Sequence, residues 1–213
     1  FGNEIIEQKK YVKFLGLLID EHLEWNYQYK NIIAKLSKSL YVLRTVKNML
    51  DTKAKKILYY SYFYSNILYG LLLWGPPQSK QNLECLFKSQ KKAIRYICNV
   101  TYNHPTNALF KREKILKVYE LVDLEIYKFM YKIKTNNVPR PILNLFSLNR
   151  QVHTYNTRRK DDPIVNLYKK KIVKQSFLSK GPSMWSSLNV NIKSSVSKKS
   201  FTNKIKKMLL LNY

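Results

Sequence analysis

The chain has 213 residues, with 39 lysines and arginines against 13 aspartates and glutamates, so its formal net charge is +26 before histidine is counted. Hydrophobic residues make up 45% of the chain, which is enough for a core and excludes a disordered basic tail. A globular chain this basic repels itself, so we expect an anionic partner. Nucleic acid is the first candidate, ahead of an anionic membrane surface, an acidic protein, or a basic composition that merely reflects A/T bias.

A short β element is predicted at the start, followed by a long helix. Residues 11–20 form a brief apolar run punctuated by Gly16, which is typical of a strand or a tight hairpin. Apolar residues then recur at helical spacing from about 27 to 50. Lys35 and Lys38 border the apolar arc of this helix and are candidates for contact with phosphates.

The second helix is predicted to begin at Thr52, with Asp51 as its N-cap. It leads into an uncharged segment, residues 57–79, which is long enough to span a membrane. The serines, asparagine and prolines of this segment would each need a partner in hydrocarbon, and lysines flank both ends. A helix buried all round in a protein core therefore explains the segment better, and residues 75–77 are expected to end it.

A third helix, predicted from about Ser79 to Asn99, has an apolar side and a cationic side, with Gln90 at the border. Its cations follow the spacing of neighbours on a helix and are Lys88, Lys91, Lys92 and Arg95. No acid is interspersed among them, so neighbouring pairs repel by about a few tenths of a kcal/mol each. A face that binds phosphates and a merely solvated face are the two interpretations, and we favour the first.

The second half of the chain is less regular. An apolar stripe over residues 115–133 predicts a helix that packs in the core or at an interface. Residues 168–174 indicate a basic strand or the start of a helix. Residues 181–182 are predicted to begin a turn that buries Trp185, and Ser200 to cap a final helix.

A basic loop is predicted at residues 153–160 (HTYNTRRK). An aromatic ring beside several cations suits single-stranded nucleic acid, which is held by stacking and charge together. A plain solvated loop is the competing interpretation. The candidate residues in this loop are Tyr155, Arg158, Arg159 and Lys160.

Residue patterns that indicate catalysis or metal binding are missing from the sequence. Cys85 and Cys98 are too few for a disulfide scaffold and are expected to pack as small apolar groups. The three histidines are scattered, so we predict no metal site. The acidic pair Asp161 and Asp162 lies between a basic run and a proline, which indicates a turn rather than a two-metal centre. We therefore expect no catalytic residue and no cofactor in this chain.

Five sequence blocks resemble, in the same order, blocks near the C-terminal end of non-LTR (LINE-type) retrotransposon reverse transcriptases of the jockey-like kind. The blocks are residues 13–20 (KFLGLLID), 59–75 (from YYS to LWG), 90–95 (QKKAIR), 153–158 (HTYNTR) and 181–188 (GPSMWSSL). Each block is modest alone, and the resemblance depends on their order over about 200 residues. The chain begins at Phe1 without Met and shows no signal-peptide pattern, so we expect it to be a fragment of a longer protein.

The resemblance implies a division into three parts and a role for two of them. Residues 1–25 would be the end of the palm, with Phe14, Leu15 and Gly16 in the primer-grip hairpin. Residues 26–100 would form a helical thumb over the primer–template duplex, and residues 101–213 a basic C-terminal region. The aspartate-bearing polymerase motif would lie before Phe1, so the fragment alone is expected to be inactive, whereas the parent polymerase would need Mg²⁺.

The predicted fold is mainly α: a short β hairpin, a thumb-like helical bundle, and a second helix-rich basic region with minor β structure. The expected function is sequence-independent binding of nucleic acid (an RNA template, or an RNA–DNA or DNA duplex) within a reverse transcriptase. The alternative is a stand-alone, domesticated nucleic-acid-binding module. The expected partners include the palm and fingers of the parent chain but no membrane, and the expected location is an intracellular, reducing ribonucleoprotein in nucleus or cytoplasm.

Overall fold

The computed structural model describes residues 8–76, 80–152, 159–211 and 213. These residues are mainly helical, with one short antiparallel hairpin near the N-terminus, which confirms the predicted fold class. The elements in chain order are β1 (Tyr11–Phe14), β2 (Leu17–Asp20), α1 (Asn26–Thr45), α2 (Thr52–Leu58), a π-helical segment (Tyr59–Tyr64), α3 (Ser65–Leu68), α4 (Leu71–Trp74), α5 (Lys80–Ile97), α6 (Asn107–Glu113), α7 (Val118–Lys134), α8 (Arg140–Leu143), α9 (Asn149–Val152), α10 (Lys171–Gln175), α11 (Phe177–Ser187), α12 (Val190–Lys193) and α13 (Lys198–Leu210).

The chain divides into two compact units. The first unit combines Phe1–Gly70 with Gln78–His104, and the second combines Leu71–Pro77 with Pro105–Tyr213. The first unit therefore contains the hairpin, α1 to α3 and α5. The second unit contains α4 and every helix from α6 onward.

The predicted hairpin is present, with Leu15 and Gly16 as its two-residue turn. Both turn residues have positive φ, 46° and 80°, which is the backbone of the turn that matches the twist of antiparallel strands. Gly16 adopts this conformation without steric cost. The hydroxyl of Tyr69, which follows α3, donates a hydrogen bond to the carbonyl oxygen of Leu15 and ties the tip to the helical layer.

Helix α1 ends at Thr45, five residues before the predicted end at Leu50. Leu50 stays 38% exposed, so no burial favours a further turn of helix there. The next helix begins as predicted at Thr52, and the carboxylate of Asp51 accepts a hydrogen bond from the Ala54 N–H at 2.8 Å. The buried ammonium of Lys55 donates to the Lys47 carbonyl at 3.0 Å, which holds α2 against the end of α1.

The uncharged run does not form one continuous helix buried all round, and this prediction was wrong. A π-helical segment interrupts it at Tyr59–Tyr64, and the helix then breaks at Gly70, whose φ is 65°. Several of its apolar side chains are exposed, among them Ile57 at 66% and Tyr62 at 56%. In the part of the chain that the structure describes, no helix is both long and apolar enough to cross a membrane.

The core of the first unit lies between α1, the π-helical segment and α5. Its apolar members include Ile32, Leu36, Leu43, Phe63, Ile67, Leu86, Ile94 and Ile97. Gln90, predicted at the border of α5, is instead fully buried, and its amide donates to the Tyr59 hydroxyl at 2.9 Å. Ser39 of α1 donates to the Tyr62 carbonyl at 2.9 Å, which satisfies a backbone group of the π-helical segment.

Helix α7 is the centre of the second unit. Most of its predicted apolar stripe is buried, with Phe129 half-buried, but Leu121, Leu124 and Tyr131 on other sides of the helix are buried as well. The burial is wider because α4, α11 and α13 all pack against α7. The ring of Tyr131 stacks on Phe201 of α13 with centroids 4.6 Å apart.

Two boundary predictions in the second unit were wrong. Gly181 and Pro182 do not begin a turn, because they lie inside α11 and Gly181 brings that helix close to α7. A Cβ at Gly181 would stand 2.6 Å from the Met130 sulfur, so a larger residue would separate the helices. The final helix is capped by Ser197, whose hydroxyl accepts the Ser200 N–H at 3.1 Å, rather than by Ser200. Trp185 is buried as predicted.

The acidic pair proved to be more than a turn. The turn itself is present, since the Asp162 N–H donates to the Arg159 carbonyl at 3.0 Å. Asp162, however, is buried, and its carboxylate accepts hydrogen bonds from Trp185 Nε1 at 3.1 Å and Lys193 Nζ at 2.7 Å. These bonds join the turn to α11 and α12.

We predict that Lys193→Met destabilises the chain by about 2–4 kcal/mol, because it leaves the Asp162 carboxylate buried without its cation. The double variant Asp162→Asn/Lys193→Met should recover a large part of the loss, since it removes both charges. Urea unfolding followed by circular dichroism measures both values.

The matched control is Arg150→Met, which breaks the exposed pair of Arg150 with Asp161 (3.3 Å) and should cost less than about 1 kcal/mol. A Lys193→Met variant as stable as this control would contradict the structural role given to Asp162.

Candidate nucleic-acid interface

The cationic face of α5 lies on the solvent side of the first unit. The buried positions of the helix, Leu86, Gln90 and Ile97, share one side, and at 100° per residue Lys88 and Lys92 fall on the opposite side. Both lysines are exposed, and among the described residues neither makes an ion pair with an acid. The helix therefore presents two ammonium groups one turn apart to solvent.

The remaining cations of this face are partly engaged. Lys91 lies 3.9 Å from the carboxylate of Glu84 and 4.2 Å from the ring centroid of Phe87. No acid is interspersed among the four cations, but Glu84, two turns earlier on the same helix, reaches Lys91. An exposed pair at this distance contributes little and exchanges readily for a phosphate.

Arg95 is positioned by the loop that follows α5. Its Nε donates to the His104 carbonyl at 3.0 Å, and its guanidinium lies 5.4 Å from the ring centroid of Tyr102. Sequence patterns did not single out Tyr102, and the only signal was an aromatic residue just beyond the predicted end of the helix.

Lys35 and Lys38 are both exposed on α1, the helix that packs against α5 in the same unit. On the helical wheel Lys35 adjoins the side formed by the buried residues Ile32, Leu36 and Ser39, whereas Lys38 lies more than about 120° from its centre. The predicted place at the border of the apolar arc therefore agrees with the geometry of Lys35 only. Their contact with phosphates stays a prediction.

The hairpin tip exposes the other candidates of the first unit. Phe14 is 61% exposed and Leu15 75%, which is unusual for large apolar side chains. Tyr69 holds the tip from below, and a Cβ at Gly16 would stand 3.5 Å from its hydroxyl oxygen. The tip is thus a fixed apolar projection, and its role as a primer grip stays a prediction.

The predicted basic loop of the second unit lies largely outside the described residues, and these include neither Tyr155 nor Arg158. Arg159 and Lys160 are described and exposed. Arg159 lines a cavity of about 400 Å³, together with Lys134, Lys193 and the Asp162 turn. Sequence patterns did not indicate this cluster, because its members come from α7, α12 and the turn at Asp162.

Two lysines of the second unit lie near the ring of Trp185, a contact that sequence reasoning missed. The Nζ atoms of Lys134 and Lys193 are 6.0 and 5.9 Å from the ring centroid. Lys134 also donates to the Lys193 carbonyl. Because Trp185 is fully buried, the ring orders these two cations and is not itself open to a ligand.

The most perturbed carboxylate of the described chain lies on α7. Burial, with the charge of Glu120 adding to it, raises the pKa of Asp123 from 3.8 to about 6, and Lys180 opposes the shift. Burial likewise raises the pKa of Glu120 and lowers that of Lys180. Among the described residues, no group of three or more His, Cys, Asp or Glu side chains could hold a metal ion.

The cysteines differ from expectation in one respect. Cys85 is exposed on α5 rather than packed as a small apolar group, whereas Cys98 is partly buried. Burial and a hydrogen bond with Cys85 raise the pKa of the Tyr29 hydroxyl.

We predict that Asp123→Asn stabilises the chain at pH 7.5 but not at pH 4. In the wild type, the native state keeps its proton up to about pH 6, whereas the unfolded carboxyl loses it near 3.8. The free energy of unfolding therefore falls as pH rises from 3.8 to about 6, and this loss of stability persists above pH 6. The gain in the variant should be about 1–3 kcal/mol, measured by urea unfolding at each pH. Asp161→Asn, at an exposed carboxylate, is the control; a pH-independent effect of Asp123→Asn would contradict the prediction.

No family model, no curated protein and no solved structure matches this chain. The resemblance to non-LTR reverse transcriptases therefore rests on the five sequence blocks alone. The function has to be inferred from the charge and geometry of the described surface.

Proposed function

We propose that this chain binds nucleic acid through the sugar–phosphate backbone, as a thumb-bearing part of a non-LTR reverse transcriptase whose catalytic aspartates belong to the palm. The observation that supports it best is the α5 face, where Lys88 and Lys92 are exposed and held one turn apart on a rigid helix. Lys91 and Arg95 extend the same face.

The chemistry of this face suits phosphates rather than base edges. Lysine ammonium groups act as point charges that neutralise phosphates, and they carry no sequence information. Each phosphate neutralised on a duplex releases counterions, so binding weakens linearly in log–log terms as salt is added, with a slope of about 0.9 per contact. A thumb that follows a moving duplex needs this kind of contact.

The net charge argues in the same direction. At +26, the chain carries far more cations than its acids can pair. Such a field attracts polyanions and speeds their encounter with the protein. Both units carry an excess of cations, and the α5 face is a defined surface on which several of these cations lie side by side.

A stand-alone nucleic-acid-binding module would make the same binding prediction. The coding sequence upstream of Phe1 distinguishes the two proposals. A palm with paired aspartates supports the polymerase fragment, and a start codon close by supports the independent module.

We predict that the chain binds a 20-base-pair RNA–DNA duplex with an affinity that falls steeply between 50 and 200 mM salt. Lys88→Gln/Lys92→Gln should weaken binding uniformly across sequences and lower the log–log slope by about 1–2, because two phosphate contacts are lost. Fluorescence anisotropy of a labelled duplex at several salt concentrations measures both quantities.

The matched control is Lys30→Gln/Lys53→Gln, which removes the same charge from exposed positions of the same unit outside the candidate face. It should leave the slope nearly unchanged. Binding that does not depend on salt would refute backbone recognition, and equal effects of the two double variants would refute the assignment to α5.

A further inference from the structure

An exposed aromatic ring stands at the end of the cationic face of α5. Tyr102 is 72% exposed, and the guanidinium of Arg95 lies 5.4 Å from its ring centroid. A cation at this distance is attracted to the face of the ring. Much of the ring surface is left open to solvent, although a tyrosine ring gains free energy when it is covered.

The loop that carries Tyr102 is held in place by a series of hydrogen bonds. Asn99 takes the left-handed conformation at φ 54° and ends α5, with the Val100 N–H bonded to the Arg95 carbonyl at 3.1 Å. The His104 N–H then closes a turn onto the Thr101 carbonyl at 3.2 Å.

Side chains add two more ties to this loop. The Nε of Arg95 donates to the His104 carbonyl at 3.0 Å, and Lys47 donates to the Val100 carbonyl at 3.4 Å. The exposed ring is therefore ordered before any ligand arrives, so little conformational entropy is lost when it is covered.

The ring continues the cationic face of α5. Lys88, Lys92 and Arg95 follow one another along the helix, and Arg95 lies seven residues after Lys88, which is about 10 Å along the helix axis. Arg95 is both the last cation of the face and the residue that contacts Tyr102. A strand whose phosphates follow these cations would thus bring a base to the ring.

We propose that Tyr102 is a stacking platform for an unpaired base, so that the α5 face binds single-stranded nucleic acid or the unpaired end of a duplex. This inference rests on the proposed function and names its substrate class. Inside a duplex every base is already stacked on both sides, whereas an unpaired base offers a free face to an aromatic side chain. A row of cations beside such a ring is the arrangement by which proteins hold single strands without reading their sequence.

The test compares single-stranded and blunt duplex probes of the same length, 12-mer oligo(U) RNA and oligo(dT) DNA against a 12-base-pair duplex, with the full 213-residue chain. Tyr102→Ala should weaken binding of the single strands by about 5-fold to 100-fold and leave duplex affinity and the salt slope unchanged. Tyr102→Phe should retain binding, because the ring is kept. Tyr41→Ala, at a 71% exposed tyrosine of α1, is the matched control and should change nothing.

A direct reading comes from 2-aminopurine placed in the single strand, whose fluorescence falls when the base stacks. The fall should occur with wild type and Tyr102→Phe but not with Tyr102→Ala. The RNA and DNA strands show whether the platform distinguishes the two sugars.

Two outcomes would overturn the platform alone. Equal losses on single strand and duplex, or no loss with Tyr102→Ala while Lys88→Gln/Lys92→Gln still lowers the salt slope, would leave backbone binding standing without stacking. Failure of every probe to bind would refute the proposed function together with the platform.

Discussion

The structure depends on how a chain with three times as many cations as carboxylates keeps its charges in water while its helices bury their apolar sides. Burying an unpaired charge costs several kcal/mol, so most charged groups that face the cores are bonded. Lys55 is buried with its ammonium on a backbone carbonyl, and Lys193 is largely buried on Asp162. One carboxylate oxygen each of Asp20 and Glu120 is buried without a hydrogen-bond partner. Most of the other described cations are exposed, and this surplus is what the proposed function uses.

The second unit uses its few acids as structural parts. Asp162 joins a turn to α11 and α12. Asp123 and Glu120 lie partly buried on α7, where burial raises the pKa of both carboxyl groups, and this is a cost to stability near neutral pH.

Sequence patterns correctly predicted the secondary-structure elements that depend on interactions between residues close in sequence. The hairpin around Gly16, the N-cap at Asp51 and the stripes of α1, α5 and α7 all depend on residues close in sequence, and they were found. The π-helical segment was not, because an extra residue in a helical turn leaves no mark on an uncharged run. Pro182 was taken as a turn signal, although it lies in the middle of α11.

The candidate site was predictable only in part, because some of its contacts join side chains that no local sequence pattern brings together. The cationic side of α5 follows from the helical periodicity of its sequence. The ion pair of Lys91 with Glu84 and the contact of Arg95 with Tyr102 depend on side-chain conformations in the folded structure. The Asp162 network joins residues far apart in sequence, so only the tertiary fold reveals it.

The bond between Tyr69 and the hairpin turn has a mechanical consequence. Because a side chain from the helical layer holds the Leu15 carbonyl, the projecting rings and methyl groups of the tip cannot tilt independently of that layer. A force on Phe14 or Leu15 therefore reaches Tyr69, between α3 and Gly70. The hairpin is also attached to α1, through the Leu18 N–H bond to the Gln28 side chain and the stacking of Tyr11 on Tyr27, so its turn and its strands move together with the helices.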